Sequence, residues 1–523
     1  MTLKEFIKQN KLFFAITVLF LTWIGILLTF SLLFTRQVAF YNYLADEYVT
    51  DRYSANIPLI RYLIEPIVGI AFYLTLESAA LPLTLLVGYI VYRIIYGSLR
   101  TTDKIKSKKF KLLSNMGREM IWFAGKLCLI IIGILVGYYL IALSLVGDEY
   151  AAYGMFYFLE LVIWGGILVF ALKLGYVLYK YYHPALKLNY QKRIDKWRRR
   201  NKFLRITQKE LIYCFGFLFL FLSTTVVLKM SLLPTFEIET DEMEEGEILV
   251  DFHSHSTESD GWLTPEERVM WYIQHGIHVA AISDHDTPDG SLRAQKFVEE
   301  HDLDFTVMMA QEYSASDNHL NIYGLEERII PIESEYEGGP TAMNISEMIE
   351  YVKGKGGYVT VNHYNREEDR TPYSLEDYRD MGVDGFEIIN KQDLQTENIR
   401  EFCLDNNLIA LSGSDMHFNH ELYSFIRLKL NDPGNYSLDN IFESLSKNEH
   451  ETVLIENNPE RVKFEGIWSD FEEFENFLNY LLNLDSLQYL SWILWTLGIY
   501  LVMTLIYRRI KNLRIAKLQE KIL

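Results

Sequence analysis

Apolar residues form two kinds of pattern along the chain: long runs near both ends, and short segments between them. Six runs reach the roughly 20 residues that span a bilayer. They lie near 12–34, 68–96, 121–146, 154–179, 211–233 and 486–507. Between the fifth and sixth runs, short strand-like segments alternate with helical stretches. The pattern therefore predicts five transmembrane helices, an α/β domain and a sixth transmembrane helix.

The strand-like segments of this domain are five or six residues long and rich in Val, Ile and Phe. They lie at 247–252, 279–283, 305–309, 358–362, 385–389 and 408–412. Helical patterns at 264–275 and 345–355 stand between some of them. Alternating β and α units predict a mainly parallel sheet, and a length of about 215 residues suits closure into a barrel.

Charge divides the chain in the same places. Residues 1–234 carry 28 Lys and Arg against 13 Asp and Glu, a net charge of +15, whereas residues 235–484 carry 16 against 54, a net charge of −38. Six crossings put the basic segments, which include both termini, on one side of the membrane. The positive-inside rule then predicts a multi-pass plasma-membrane protein with cytoplasmic termini and an extracytoplasmic α/β domain. The acidic surface disfavours a nucleic-acid polymer as partner.

Two features of the membrane part allow alternatives. The stretch 57–96 contains charged residues and a proline, so it forms either a surface helix followed by one span or two short spans. One span agrees with the charge rule. Glu77 and Glu160 fall at membrane depth, where carboxylates are candidates for function. The simpler interpretation is that they bond to tyrosine or backbone within the helix bundle.

Side chains that bind metals stand at or just after the predicted strand ends. They are His253, His255, Asp260, His285, Glu312, His319, His363, Asp415 and His417. Because residues i and i+2 of a strand face the same side, each closely spaced pair can reach one ion. Imidazoles together with carboxylates suit Zn²⁺, Mn²⁺ or Fe²⁺. A closed structural site needs four protein ligands, so nine predict an open site for more than one divalent metal ion.

These motifs, in their order along the chain, resemble the PHP (polymerase and histidinol phosphatase) family of metal-dependent phosphoesterases over roughly 248–455. The motifs are Asp-Phe-His-Ser-His at 251–255, Ser-Asp-Gly at 259–261, Ser-Asp-His-Asp-Thr at 283–287, Glu312, His319, Asn-His at 362–363 and Gly-Ser-Asp-Met-His at 413–417. The resemblance implies a distorted (β/α)7 TIM-like barrel with up to three ions. It implies three ligand sets: His253, His255, Glu312 and Asp415; Glu312, His319 and His363; and Asp260, His285 and His417.

The implied activity is hydrolysis of a phosphomonoester or phosphodiester by a metal-bridging hydroxide, with Asp415 and Glu312 as catalytic residues. The expected substrate is a phosphorylated small molecule or a compound of the cell envelope. Asp284, Asp286 and Arg366 are candidates to orient a ligand or bind substrate, and solvated loop charge is their alternative. Two other functions remain open: a metal-dependent hydrolase of a non-phosphorus ester or amide, and a non-catalytic metal-binding sensor.

The expected domain layout follows from these patterns. It comprises a membrane domain with five transmembrane helices (1–234), a PHP-like metallohydrolase domain (248–465), an amphipathic juxtamembrane linker (466–485), the sixth transmembrane helix (486–507) and a basic cytoplasmic tail (508–523).

Overall fold

The computed structural model describes most of the chain. The described residues are 11–73, 108–182 except 147, single positions between 208 and 223, and 236–522 with short gaps at 241–242, 316–317, 333–341, 365–370, 392, 396, 420–421, 458–461, 465 and 467–471. Most of the predicted second and fifth spans, together with Glu77 and Arg366, lies outside them.

The first part of the chain contains long helices and three short strands. These are α1 (Lys11–Leu33), β1 (Val38–Asn42), β2 (Glu47–Tyr48), β3 (Tyr53–Asn56), α2 (Leu59–Tyr73), α3 (Lys108–Val146) and α4 (Asp148–Tyr182).

The α/β part follows, and its described strands and helices alternate. The elements up to its middle are β4 (Glu237–Thr240), β5 (Glu247–Asp251), α5 (Pro265–Gln274), β6 (Val279–Ala281), α6 (Asp289–His301), β7 (Thr306–Met308), β8 (Ala310–Ala315), β9 (Asn318–Tyr323), β10 (Ile330–Pro331) and β11 (Ala342–Met343). The remainder are α7 (Ile345–Gly354), β12 (Tyr358–Val361), α8 (Leu375–Met381), β13 (Gly385–Asn390), β14 (Asp393–Leu394), α9 (Glu397–Asn406), β15 (Ile409–Gly413), β16 (Ser424–Lys429), α10 (Leu438–Leu445), β17 (Glu451–Asn457), α11 (Glu472–Leu482) and α12 (Ser486–Ile522).

Within the described residues, three helices are long and apolar enough to cross a bilayer. Their apolar stretches are Ile16–Leu33, Asn115–Ile141 and Ser486–Leu505. They correspond to the first, third and sixth predicted spans. The fourth predicted span lies within α4, which is helical over its whole length but is not among these three. The six-helix layout therefore stays a prediction.

The helices of the α/β part begin at residues that satisfy their first amide groups. Thr264, Asn344 and Ser374 each accept a hydrogen bond from the third helical residue, whose acidic side chain bonds back to the cap. Such reciprocal caps fix where a helix begins. They place α5 and α7 within one residue of the stretches that the sequence predicted.

The strands form two main sheets, so the mixed α/β class is confirmed. A seven-stranded sheet has the order β2-β1-β17-β16-β5-β6-β7, and a six-stranded sheet has the order β14-β13-β12-β9-β8, with β15 also paired to β13.

Among the described strands, parallel pairing joins β5 to β6 to β7, β12 to β13 to β15, and β10 to β11. The expectation of a mainly parallel sheet is therefore wrong. Closure into a (β/α)7 barrel stays a prediction.

Antiparallel neighbours flank the parallel strands in both sheets. Strands β8 and β9 form a hairpin that pairs onto β12, and β16 and β17 extend the first sheet beyond β5. The β8–β9 hairpin has a short connection and lies between two helices, so it leaves the alternation of strand-like and helical segments in the sequence unchanged. The pattern of apolar residues therefore could not reveal it.

The strand that follows α1 belongs to the seven-stranded sheet. Strand β1 pairs antiparallel with β17 over five residues, from Val38 opposite Asn457 to Asn42 opposite Val453. Phe40 is 1% exposed and its ring centroid lies 5.2 Å from that of Tyr53 and 6.5 Å from that of Phe425. Residues 38–56 therefore pack as part of the α/β core. The division into domains at residue 234 stays a prediction.

Candidate metal centre

The nine predicted ligands come from separate elements whose ends meet at one place. His253 and His255 follow β5, His285 follows β6, His363 follows β12, and Asp415 and His417 follow β15. Glu312 and His319 come from the β8–β9 hairpin. Isolated parallel bridges between Ser254 and Met416, and between His285 and Glu312, hold these strand ends together. The ligands thus gather mainly at the C-terminal ends of parallel strands, as the sequence predicted.

Glu312 lies at the centre of the cluster. Its side chain is 1% exposed. Five histidine nitrogens surround its two carboxylate oxygens: His253 Nε2 at 3.3 Å, His255 Nε2 at 3.5 Å, His285 Nδ1 at 2.9 Å, His319 Nδ1 at 3.2 Å and His363 Nε2 at 3.5 Å. A carboxylate with two oxygens placed in this way can bridge neighbouring cations.

Asp415 and Asp260 complete the cluster on the other side of His255. Oδ1 of Asp415 lies 3.3 Å from His255 Nε2 and 3.3 Å from His417 Nδ1. Oδ2 of Asp260 lies 3.0 Å from His417 Nε2, and its Oδ1 lies 3.7 Å from both His255 Nδ1 and His285 Nε2. All nine side chains that the sequence singled out are therefore neighbours.

Three groups of these side chains bring one donor atom each to within 4.8 Å of one another. The groups are His255, Asp260, His285 and His417; His253, His255 and Asp415; and His285, Glu312 and His319. They differ from the implied ligand sets in three respects. Glu312 is absent from the group that contains His253 and Asp415. His255 joins the third set, and His285 stands in place of His363 beside Glu312 and His319.

The chemistry of this donor set fits divalent cations. The buried atom His255 Nδ1 has no hydrogen-bond partner among the described residues. Leaving a buried polar atom without a partner is costly, and a bound cation removes that cost. The mixture of imidazole nitrogens and carboxylate oxygens is the one that Zn²⁺, Mn²⁺ and Fe²⁺ accept.

The charges within the cluster favour the ionised carboxylates. Burial raises the pKa of Glu312, but His253, His285 and His319 outweigh this effect and hold it well below its usual value. Burial likewise opposes ionisation of Asp415, yet His253 and the other nearby cations keep its pKa well below the ordinary range. Burial lowers the pKa of His255 to about 3. Two anionic carboxylates beside a neutral imidazole form a suitable binding site for a divalent cation.

Several strand-end residues adopt a backbone conformation that is uncommon for residues other than glycine. Asp286, His363, Lys391 and Asp415 have φ values of 54°, 29°, 55° and 47°. Left-handed conformations of this kind cost roughly 1–3 kcal/mol each and cluster at functional sites. They turn the chain sharply at the sheet edge where the ligands lie.

Asp284 and Asp286, the two candidate supporting carboxylates, hold the surrounding loops. Asp284 accepts hydrogen bonds from Ser256 N at 2.6 Å and from Ser259 Oγ at 2.7 Å, and Asp286 accepts one from Ser314 N at 2.9 Å. Burial raises the pKa of Asp284 to about 6 and that of Asp286 to about 7. Asp284 therefore fixes the segment that carries His255 and Asp260, and Asp286 fixes the strand that carries Glu312.

Glu387 is a supporting residue that the sequence analysis missed. Its carboxylate accepts hydrogen bonds from His253 Nδ1 at 2.7 Å, from His363 N at 3.0 Å and from Asn390 Nδ2 at 3.0 Å. It thereby fixes which nitrogen of His253 faces the cluster, because the ring donates from Nδ1 and presents Nε2. The available signal was an acidic residue inside the apolar strand 385–389.

Asn362 and Asp251 support the cluster as well. Asn362 donates from Nδ2 to Glu312 Oε1 at 2.8 Å. Asp251 accepts from Tyr272 at 2.6 Å and from Ser414 N at 2.9 Å, so it ties β5 to the loop that carries Asp415. Both residues lie within motifs that the sequence analysis quoted, but neither had been assigned a role.

Comparison with known proteins gives partial likenesses. No family model matches the chain. The 5′-3′ exoribonuclease Rnm of Escherichia coli is 30% identical over 139 residues, which cover 23% of this chain and 47% of that protein. The chain therefore spans about half the length of this curated relative.

Two solved structures are similar to part of the chain. One is a two-domain protein from Bacteroides vulgatus that contains a predicted PHP-like metal-dependent phosphoesterase; it is 19% identical with a TM-score of 0.35, and the match covers 42% of this chain and 68% of that one. The other, from Bifidobacterium adolescentis and assigned as a metal-dependent phosphoesterase, is 20% identical with a TM-score of 0.28, covering 38% and 96%.

Proposed function

We propose that the protein is a membrane-anchored, metal-dependent phosphoesterase of the PHP type. The observation that carries this proposal is the convergence of nine imidazole and carboxylate side chains, with three groups of donor atoms each within 4.8 Å. The ordered motifs and the partial likeness to the Rnm exoribonuclease, over 139 residues, support the same chemistry. In this proposal the two sheets close as a distorted (β/α)7 barrel between the fifth and sixth transmembrane helices.

The residues present would hold two or three divalent ions, of Mn²⁺, Zn²⁺ or Fe²⁺. When bound, such ions act as Lewis acids toward phosphoryl oxygens and bring the pKa of water close to neutrality. Glu312, together with His253, His285 and His319, would hold these ions. His253 and His255 are 0% exposed, so bulk solvent does not reach these two side chains.

Asp415 is positioned to handle the proton of the attacking water. Its carboxylate is ionised, because neighbouring cations hold its pKa well below the usual value despite burial. Asp415 is also only 5% exposed, so few bulk water molecules compete with the attacking water for its oxygens. A positioned general base typically contributes about 10²–10⁴-fold to a rate.

The substrate that we propose is a phosphomonoester or phosphodiester of a small molecule or of a cell-envelope compound. The net charge of −38 on residues 235–484 disfavours a long polyanion. Strand β1 follows α1 directly and pairs with β17, so residues 38–56 and the α/β domain share one side of the membrane. From the distribution of charge, we propose that both are extracytoplasmic and that both termini are cytoplasmic.

The test uses the full chain, purified in detergent and supplied with Mn²⁺ or Zn²⁺. We expect turnover of p-nitrophenyl phosphate or bis-p-nitrophenyl phosphate, and a fall of about 10²–10⁴-fold in kcat for Asp415→Asn. His301→Gln, an exposed histidine away from the cluster, serves as the control and should leave turnover unchanged. Full metal occupancy without turnover would favour a sensor, and turnover of carboxylic esters or amides alone would favour the non-phosphorus hydrolase.

A further inference from the structure

Lys391 lies at the edge of the cluster, and neither the motifs nor the proposed mechanism uses it. It follows β13 directly, and its backbone N–H donates to the carbonyl of Gly413 at 3.0 Å. The residue is held in the left-handed region, with a φ of 55°. A lysine in this conformation is uncommon. The turn aims its side chain toward the loop that carries Asp415.

The ammonium group contacts the outer oxygen of Asp415. Lys391 Nζ lies 3.0 Å from Asp415 Oδ2, whereas Oδ1 of the same carboxylate lies 3.3 Å from His255 Nε2 and 3.8 Å from His253 Nε2. One oxygen therefore faces the imidazoles and the other faces the lysine. The Lys391 side chain is 31% exposed, so it is only partly buried by this contact.

A cation at this position does not help to hold metal ions, because like charges repel. Among the described residues, Lys391 is the one lysine or arginine within ion-pair distance of any of the nine predicted ligands. An ammonium group has three N–H donors, and the contact with Asp415 uses one of them. The other donors remain suited to an anion that enters the cleft, and phosphoryl oxygens are strong acceptors of such bonds.

We propose that Lys391 binds a non-bridging oxygen of the substrate's phosphoryl group and gives the site a preference for dianionic phosphomonoesters. This inference rests on the proposed phosphoesterase function. The acidic domain repels anions. The positive charge of Lys391 beside the cluster offsets this repulsion at the point where a phosphoryl group would bind. A dianion gains more from that charge than a monoanionic diester does.

The test measures binding of inorganic phosphate by calorimetry to the full chain in detergent with Mn²⁺. Lys391→Met should weaken phosphate binding by about tenfold or more, the loss expected for a hydrogen bond to a charged group. Lys391→Arg should retain most of the affinity. Lys353→Met is the matched control, because Lys353 forms a similar ion pair with Asp384, 2.6 Å from Oδ1, away from the cluster.

Two further readouts separate substrate binding from a role in holding Asp415. Metal content should be equal in the wild-type protein and Lys391→Met. In Lys391→Met, kcat/KM should fall more for p-nitrophenyl phosphate than for bis-p-nitrophenyl phosphate.

Unchanged phosphate affinity, or a loss of bound metal in Lys391→Met, would overturn the inference. Phosphate binding that depends on Lys391 in a protein without turnover would contradict the proposed function and leave this assignment standing. Lys391→Gln provides a second neutral variant if Lys391→Met does not fold.

Discussion

Glu387 holds two of the predicted metal ligands in place. It bonds to His253 Nδ1 at 2.7 Å and to the backbone N–H of His363 at 3.0 Å, and it is buried. Gly413 leaves room for it, since a Cβ at that position would collide with Glu387 Oε1 and with His253. Two ligands from different strands thus depend on one carboxylate.

Replacing Glu387 by Gln should therefore weaken metal binding. The neutral amide loses the charge-assisted bond to His253, and loss of such a partner typically lowers metal affinity by about 10–100-fold. Titration of the full chain with Mn²⁺ or Zn²⁺ measures the change. Asp380→Asn, at a carboxylate whose side chain is 69% exposed, is the control. Equal metal affinity in both variants would show that Glu387 has no such role.

At the scale of single residues, the sequence revealed side chains that occur in dense motifs. His253 and His255, or Asp415 and His417, were visible because their spacing matches one face of a strand. Glu387 and Lys391 each stand alone, and their roles arise from contacts with residues up to 134 positions away. Such contacts depend on the strand order, which the sequence pattern does not contain.

At the scale of elements, strand β1 is the feature with the largest consequence. The apolar pattern correctly indicated the helix that precedes it, but it gave no sign that the next residues join a sheet. Strand β1 has five residues, and its partner β17 lies more than 400 positions further along the chain. No local signal reports a pairing over that distance. The parallel strands β5, β6, β7, β12, β13 and β15 were predictable because burial makes most of their residues apolar.

Phe40→Ala should destabilise the α/β domain if β1 is part of its core. The Phe40 side chain is 1% exposed, and removing a buried phenylalanine ring typically costs about 3–5 kcal/mol. Denaturant unfolding of the full chain measures the change in the free energy of unfolding. Tyr48→Ala, whose side chain is 63% exposed, should change it by about 0.5 kcal/mol or less. Equal effects of the two substitutions would show that β1 is not packed as described.

At the scale of the whole molecule, the charge pattern and the strand pairing both place the loop after α1 beside the α/β domain, and the charge pattern alone predicts on which side of the membrane they lie. The basic segments predict that both termini are cytoplasmic, and the pairing of β1 with β17 requires the loop after α1 to accompany the α/β domain. The two arguments are independent, because one uses Lys and Arg counts and the other uses backbone hydrogen bonds.

Cysteine labelling in intact cells tests this orientation. In a background in which Cys128, Cys214 and Cys403 are replaced by Ala, a membrane-impermeant maleimide should label Glu300→Cys and Tyr48→Cys without lysis. Ala516→Cys, in the basic tail, should react only after lysis. Labelling of Ala516→Cys alone in intact cells would place the α/β domain in the cytoplasm. Different behaviour of Tyr48→Cys and Glu300→Cys would contradict the strand pairing.

The central claim is that side chains from distant parts of the chain form a site for several divalent cations. Elemental analysis of the full chain, purified in detergent and passed through a metal-free buffer, tests it most directly. The account predicts two or three divalent ions per chain in the wild-type protein, fewer in Glu312→Gln, and the wild-type content in His301→Gln. A wild-type protein without bound divalent cations, or a Glu312→Gln variant that retains all of them, would contradict the account.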